Sequence, residues 1–253
     1  MSYGEKIRQR MAGIPEKNLL LVLSLVVGIA SGIAAVILTK LVEIIKEGLT
    51  SWMHGGGYNY LYLVYPGVGM LLSMLLLKYV IKDRIGHGVT KVLVAVSKNE
   101  SRIKPHNMWS SILTSSLTIG FGGSVGAEAP IVYTGAAIGS NVARAMGLSY
   151  RSMTILLGCG AAGAVAGIFK APLAGVLFTL EILLFNISMT SMMPLLLSTV
   201  SATVVSYIFL GNELPFECTI SPFRMVNIPF YILLGIFFCG LICFFFDFYQ
   251  ACT

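Results

Sequence analysis

A single carboxylate, Glu128, stands in the glycine-rich stretch GFGGSVGAEAP, residues 120–130, immediately ahead of an apolar run. An ionisable side chain at membrane depth is costly and by default marks a functional site. The glycines before it let the backbone approach a ligand closely, and Pro130 suits the first turn of a helix, where its missing N–H is not needed. Such a helix start turns unpaired N–H groups and a positive dipole end toward an anion. Glu128 therefore reads as a tethered carboxylate beside an anion-binding helix terminus, able to occupy the site or to leave it, which is the behaviour of a gate. The plainer alternative is an acid that stabilises its helix start from outside the membrane. The same stretch offers a different chemistry. GGSVG, residues 122–126, matches the GxSxG pattern of hydrolases, with Ser124 as a nucleophile served by a histidine. That base must lie within hydrogen-bond reach, and the three histidines, His54, His87 and His106, all fall in predicted loops. An intramembrane serine protease is thus a remote alternative.

The elements that must position these residues are membrane helices. Hydrophobic residues make up 56% of the 253 and charged residues only 11%, against roughly 25% charged in soluble domains; the mean hydropathy is +0.84. Residues 19–38 form a charge-free run long enough to cross about 30 Å of hydrocarbon, and the run lacks the cleavage signature of a secretory signal. Further apolar segments cover residues 60–77, 109–120, 131–146, 153–169, 173–185, 192–210 and 228–246. Several are too short for a full crossing and are broken by Gly or Pro, the pattern by which transporters place helix ends near the bilayer midplane. The expected fold class is all-α, a polytopic transmembrane protein with short broken or re-entrant helices.

The net charge of +6 is distributed by membrane flank rather than as a nucleic-acid-binding patch. Lys6, Arg8, Arg10 and Lys17 precede the first span. Lys78, Lys82, Arg84, Lys91, Lys98, Arg102 and Lys104 follow the second, against Asp83 and Glu100 alone, and the whole basic stretch is expected to be a loop. In the predicted loop at residues 40–60, Lys40 and Lys46 are balanced by Glu43 and Glu47. The positive-inside rule puts the N-terminus in the cytoplasm and the 40–60 loop outside, in a multi-pass protein of the cell membrane. The odd number of cysteines contains no CxxC pair; Cys239 and Cys243 are expected to be packing residues, and no metal site or cofactor is indicated. Tyr133 and the Phe-rich tail at residues 237–248 are expected to face lipid or core.

Three further features stand in register with Glu128: GHGVT at residues 86–90, GCGAAGAVAG at 158–167, a small-residue face suited to close helix packing, and KAPLAGVLFTLEILL at 170–184, where Pro172 breaks one helix and starts the next. Together these residues resemble the CLC family of chloride channels and chloride/proton antiporters. GAEAPIVYTGAAIG (residues 126–139) is similar to the family's GxEGP signature and the helix after it, GIFKAPLAGVLFTLE (167–181) to its NAPLAG-type segment, and GHGVT stands where GSGIP is usual. The resemblance implies inverted helical repeats around a midplane anion site, in a homodimer whose subunits each carry a pore. It implies chloride or a related anion as cargo, with protons as well in the antiporters. Glu128 would be the external gate and a proton carrier. Ala129, Pro130, Ile131 and Val132 would form the anion-binding helix start, and Gly86, His87, Gly88 and Val89 the inner wall. The dimer interface would include residues 173–185 and 192–210. Residues 1–18 would form a cytoplasmic N-terminal segment and 19–253 one transmembrane domain, the first repeat plus the start of the second.

The chain departs from the family pattern in four ways. His87 replaces the serine that contacts the central anion, which bears on selectivity because a histidine donates an N–H and binds anions more strongly when protonated. Thr90 and Ala129 replace a proline and a glycine at the two helix starts. Antiporters often carry an inner proton-transfer acid second of two after APLAG. Here the first of these positions is Glu181 and the second is Ile182, so coupling either uses Glu181 or is absent, leaving channel and antiporter both open. Finally, the second-repeat part of the site is expected to be missing, which makes a truncated, non-conducting half-transporter or a membrane scaffold the main alternative.

Overall fold

A computed structural model describes residues 16–51, 61–81, 88–183, 189–211 and 225–252, and the described elements are helical throughout. They are α1 (Glu16–Ser51), α2 (Leu61–Leu76, continued by a π-helical turn at Leu77–Ile81), α3 (Gly88–Lys98), α4 (Asn107–Gly120), α5 (Glu128–Ala145), α6 (Tyr150–Phe169), α7 (Pro172–Leu183), α8 (Met189–Leu210) and α9 (Ile228–Cys252). Two compact units divide the chain, residues 1–214 and 215–253. Among the described helices, α1, α6 and α8 contain stretches long and apolar enough to cross a membrane, whereas α2, α7 and α9 carry shorter apolar stretches. The all-α architecture with partial spans therefore agrees with the sequence pattern.

At the centre of the larger unit lies α6. Its residues 156–167 are buried on every side, so the expected small-residue face is in fact a small-residue helix, enclosed all round as uniformly apolar helices are. A Cβ at Gly160 would overlap the carbonyl oxygen of Gly135 on α5, and one at Gly139 would overlap that of Leu156. Across the other side, Ser198 Oγ donates to Cys159 O at 2.7 Å and Thr203 Oγ1 to Ala166 O at 3.3 Å, fastening α8 to α6. Lipid tails give no hydrophobic drive between helices, so close backbone approach and such hydroxyl bonds hold the bundle. Helix α6 ends at Lys170, whose left-handed φ of 52° caps the helix as a glycine usually does. Its buried Nζ donates to Gly211 O at 2.9 Å and lies 5.5 Å from the Tyr207 ring centroid. Pro172 then opens α7, in the position where proline is best tolerated.

Two expected loops contain helix. The first span runs from Glu16 to Ser51, 36 residues, so the stretch at 40–51 is helical. Its Lys, Glu, Leu and Ile residues are good helix formers, and Lys40 pairs with Glu43 at 2.7 Å one turn away. The first charged residues, at 40 and 43, end the charge-free run but not the helix. The basic stretch after α2 contains α3, which turns back at Glu100 and Ser101, both with positive φ. Cys239, expected in packing, is exposed on α9.

The hydrogen bonds define two poles for the larger unit. Ser152 Oγ donates to Glu16 Oε1 at 2.7 Å, Tyr150 Oη to Val96 O at 2.9 Å and Ser140 Oγ to Ser101 O at 2.6 Å. These bonds gather the starts of α1 and α6, the turn after α3 and the last turns of α5 at one end. Lys17, Lys98, Arg102, Lys104, Arg144 and Arg151 belong to that end. At the other, the end of α4 abuts α1, where Gly120 faces Ile45, and charges of both signs are mixed.

Candidate functional site

The site is built on a junction of two helix starts. Gly88, the first residue of α3, lies against Ala129 in the first turn of α5, and a Cβ there would overlap the Ala129 carbonyl oxygen. Only glycine allows that approach. Farther along the same pair of helices, Lys91 Nζ stands 5.4 Å from the Tyr133 ring centroid, so α3 and α5 run side by side and their positive dipole ends reinforce each other. Gly88 and Ala129, picked separately from the sequence, are thus brought together. Gly86 and His87 lie outside the described residues. Val89 is half-buried beside the junction.

Glu128 is the first residue of α5, and the cap residue before it, Ala127, offers no side-chain bond. The carboxylate is exposed, as are Ser124, Val125 and Gly126 before it. Within a helix, the first amides have no carbonyl four residues back. Of the four residues assigned to this start, Pro130 has no N–H and Ile131 N–H donates to Ala127 O at 3.2 Å. The open backbone donors of this turn are therefore centred on Glu128 and Ala129. Ile131 and Val132 are fully buried and anchor the turn in the core. About 18 Å of helix separates Glu128 from Ser140 at the basic pole.

The segment leading to Glu128 is shaped by glycine and by α4. Gly122 takes a left-handed φ of 85°, and Gly123 N–H donates to Thr118 O at 2.9 Å, which folds the strand of backbone against α4 before it turns into α5. Helix α4 carries a hydroxyl series the sequence reading passed over as merely apolar. Thr114 Oγ1 donates to Ser110 O at 3.1 Å, Ser115 Oγ to Ser111 O at 2.7 Å and Thr118 Oγ1 to Thr114 O at 3.1 Å. These hydroxyls satisfy one another's turns, while Ser111 Oγ reaches Pro130 O at 3.3 Å and ties α4 to the first turn of α5. The signal was present as SSILTSSLT in residues 110–118.

Tyr133 packs its ring against the core, as expected, and its hydroxyl also belongs to a polar group. Asn107 Nδ2 donates to its Oη at 2.7 Å. Glu181 is exposed on α7 on the same face as Leu173 and Leu177, with half-buried Ile182 beside it. The serine-nucleophile alternative finds no base among the described residues. His106 precedes the first residue of α4, and Gly123 sits level with Thr118 near the other end, so about 17 Å of helix lies between His106 and the level of Ser124. No cluster of metal-binding side chains occurs among the described residues.

The family model described as voltage gated chloride channel matches residues 68–252. A putative chloride channel protein, ClcB-like, of Ralstonia nicotianae is 31% identical over 153 residues, covering 59% of this chain and 36% of that protein. The crystal structure of a slow cyanobacterial Cl−/H+ antiporter superposes with a TM-score of 0.72 at 23% identity, covering 87% of this chain and 53% of that one. A CLC-type fluoride/proton antiporter gives a TM-score of 0.68 at 26% identity, covering 89% and 54%. The chain spans about a third of the Ralstonia relative and about half of each solved structure.

Proposed function

The chain belongs to the voltage-gated chloride channel family, and on that premise we propose that it forms one wall of a transmembrane pathway for chloride or a related anion, with Glu128 as its gate. The observation that carries the reading is the meeting of two helix starts at Gly88 and Ala129 beside an exposed carboxylate. Open amides and two aligned dipole ends favour an anion there. An ionised Glu128 competes for the same donors, and a protonated one releases them. Glu128 would then link anion passage to protons, as a gate in a channel or as the proton carrier of an antiporter. Gly86, His87, Gly88 and Val89 would form the inner wall, with Glu128, Ala129, Pro130, Ile131 and Val132 the outer one. Glu181 is the remaining candidate for an inner proton relay.

The basic pole supports a cytoplasmic N-terminus, with residues 1–18 on that side and 19–253 as the membrane domain. A homodimer contact through α7 and α8 would use the exposed Leu173 and Leu177, and Val204 and Ile208. The reading is tested by anion efflux from liposomes containing the purified chain, with external pH varied. Flux should depend on pH, and Glu128→Gln, which mimics the protonated acid, should abolish that dependence. Flux whose pH response survives the substitution removes the gate. Absence of flux from folded protein supports the second reading, favoured by the half-length match to the solved antiporters, in which the chain conducts only with further transporter sequence.

A further inference from the structure

Beside α3, and sharing Tyr133 with the junction at Gly88, a cavity of about 400 Å³ is lined by Thr90, Lys91, Arg102, Lys104, Asn107 and Tyr133 together with apolar side chains of α3 and the turn after it. We propose that it is a binding site for a phosphate-bearing ligand, either a soluble phosphate compound or the headgroup of a phosphorylated lipid. Lys91 on α3 and Arg102 and Lys104 in the turn after it all line this recess, beside the apolar Val94, Ala95 and Ile103, and its described lining contains no carboxylate. The positive-inside rule accounts for the presence of cations at the basic pole. It does not account for three of them lining one hollow whose wall is tied by polar contacts. Asn107 Nδ2 is bonded to Tyr133 Oη at 2.7 Å, and Lys91 Nζ lies over the Tyr133 ring.

The chemistry favours a polyoxyanion over a halide. A cavity of this size falls in the range of small-molecule sites, whereas a single ion needs no such volume. A phosphate presents several acceptor oxygens, and Lys, Arg, amide and hydroxyl groups are the donors that recognise it. Among the described residues, Glu100 lies 3.2 Å from Arg102, with both side chains largely exposed. Exposed pairs of this kind are weak, so a phosphate oxygen can replace Glu100 on the guanidinium.

The test uses binding and not flux, so it stands or falls separately from the gating proposal. The full chain in phosphatidylcholine nanodiscs is titrated calorimetrically with inorganic tripolyphosphate at constant ionic strength. In a second arm the discs contain phosphatidylinositol 4-phosphate, and retained lipid is counted by native mass spectrometry. Saturable binding is expected in at least one arm. Saturation with tripolyphosphate identifies a soluble ligand, and retention of the lipid alone identifies a headgroup. Lys91→Gln with Lys104→Gln should weaken binding at least tenfold, Lys104→Arg should retain it within threefold, and Lys46→Gln at the opposite pole should leave it unchanged. Helicity by circular dichroism verifies the fold of each variant. No saturation in either arm, no loss in the double variant, or an equal loss in Lys46→Gln each overturns the site.

Discussion

Helix α5 meets one neighbour along its buried length and another at its exposed start, and both meetings depend on a glycine set against a carbonyl oxygen. Along the seam with α6, Gly135 and Gly160 face each other and residues 134–140 are buried without exception. At the start, Gly88 faces Ala129, yet Glu128 one residue earlier is exposed. The same steric device thus fixes the scaffold in one place and brings two positive helix ends together in the other. The contrast teaches that a glycine's role is read from what its neighbours leave open. Where everything around it is filled, the glycine serves packing. Where charge and open amides stand beside it, it leaves room for a ligand.

Breaking the seam should have the largest effect. Gly160→Val drives a branched side chain into the Gly135 backbone, and overpacking of that kind without room to relax should destabilise by more than about 3 kcal/mol. The expected outcome is loss of the monodisperse peak in detergent size-exclusion chromatography. Gly88→Ala should separate the two regions' roles. The protein should remain folded, with its melting temperature lowered by only a few degrees, while the pH-dependent anion flux, or chloride affinity where flux needs a longer chain, falls at least tenfold. Equal collapse of both variants would mean that the two glycines do the same job. Ser198→Ala, which removes the hydroxyl bond from α8 to Cys159 O, should have the smallest effect, about 0.6 kcal/mol as for other interhelical bonds in membranes, measured by reversible unfolding in mixed micelles. The Glu128→Gln pH profile sharpens the comparison from the ligand side.

Much of this arrangement was legible before any coordinates. Pro172 after a Gly/Ala-rich run marked the α6–α7 break, and the apolar runs between residues 60 and 210 marked their helices to within a few residues. Glu128 followed by Pro130 marked a helix start. The errors share a physical origin: hydropathy reports contact with lipid, not backbone conformation. Lys40 to Ser51 continues α1 although charged side chains interrupt its apolar ones, and α3 lies within a basic stretch that reads as loop. Tyr133 was rightly read as a core aromatic, but its polar contacts were hidden for a related reason. Its partners Asn107 and Lys91 lie on α4 and α3, and no periodicity within α5 points to them. The juxtaposition of Gly88 and Ala129 is likewise a property of the fold, because 41 residues of sequence hide a direct backbone contact.

Lys170 carries a consequence for how the chain is made. Its ammonium lies at the end of α6 farthest from the basic pole, so on the proposed topology a positive charge crosses the bilayer as α6 inserts. Its acceptor, Gly211 O, lies 41 residues later in the sequence and becomes available only after α8 has been synthesised. Completion of α8 therefore supplies one of the contacts that fasten this end of α6, and a chain stalled short of Gly211 lacks it.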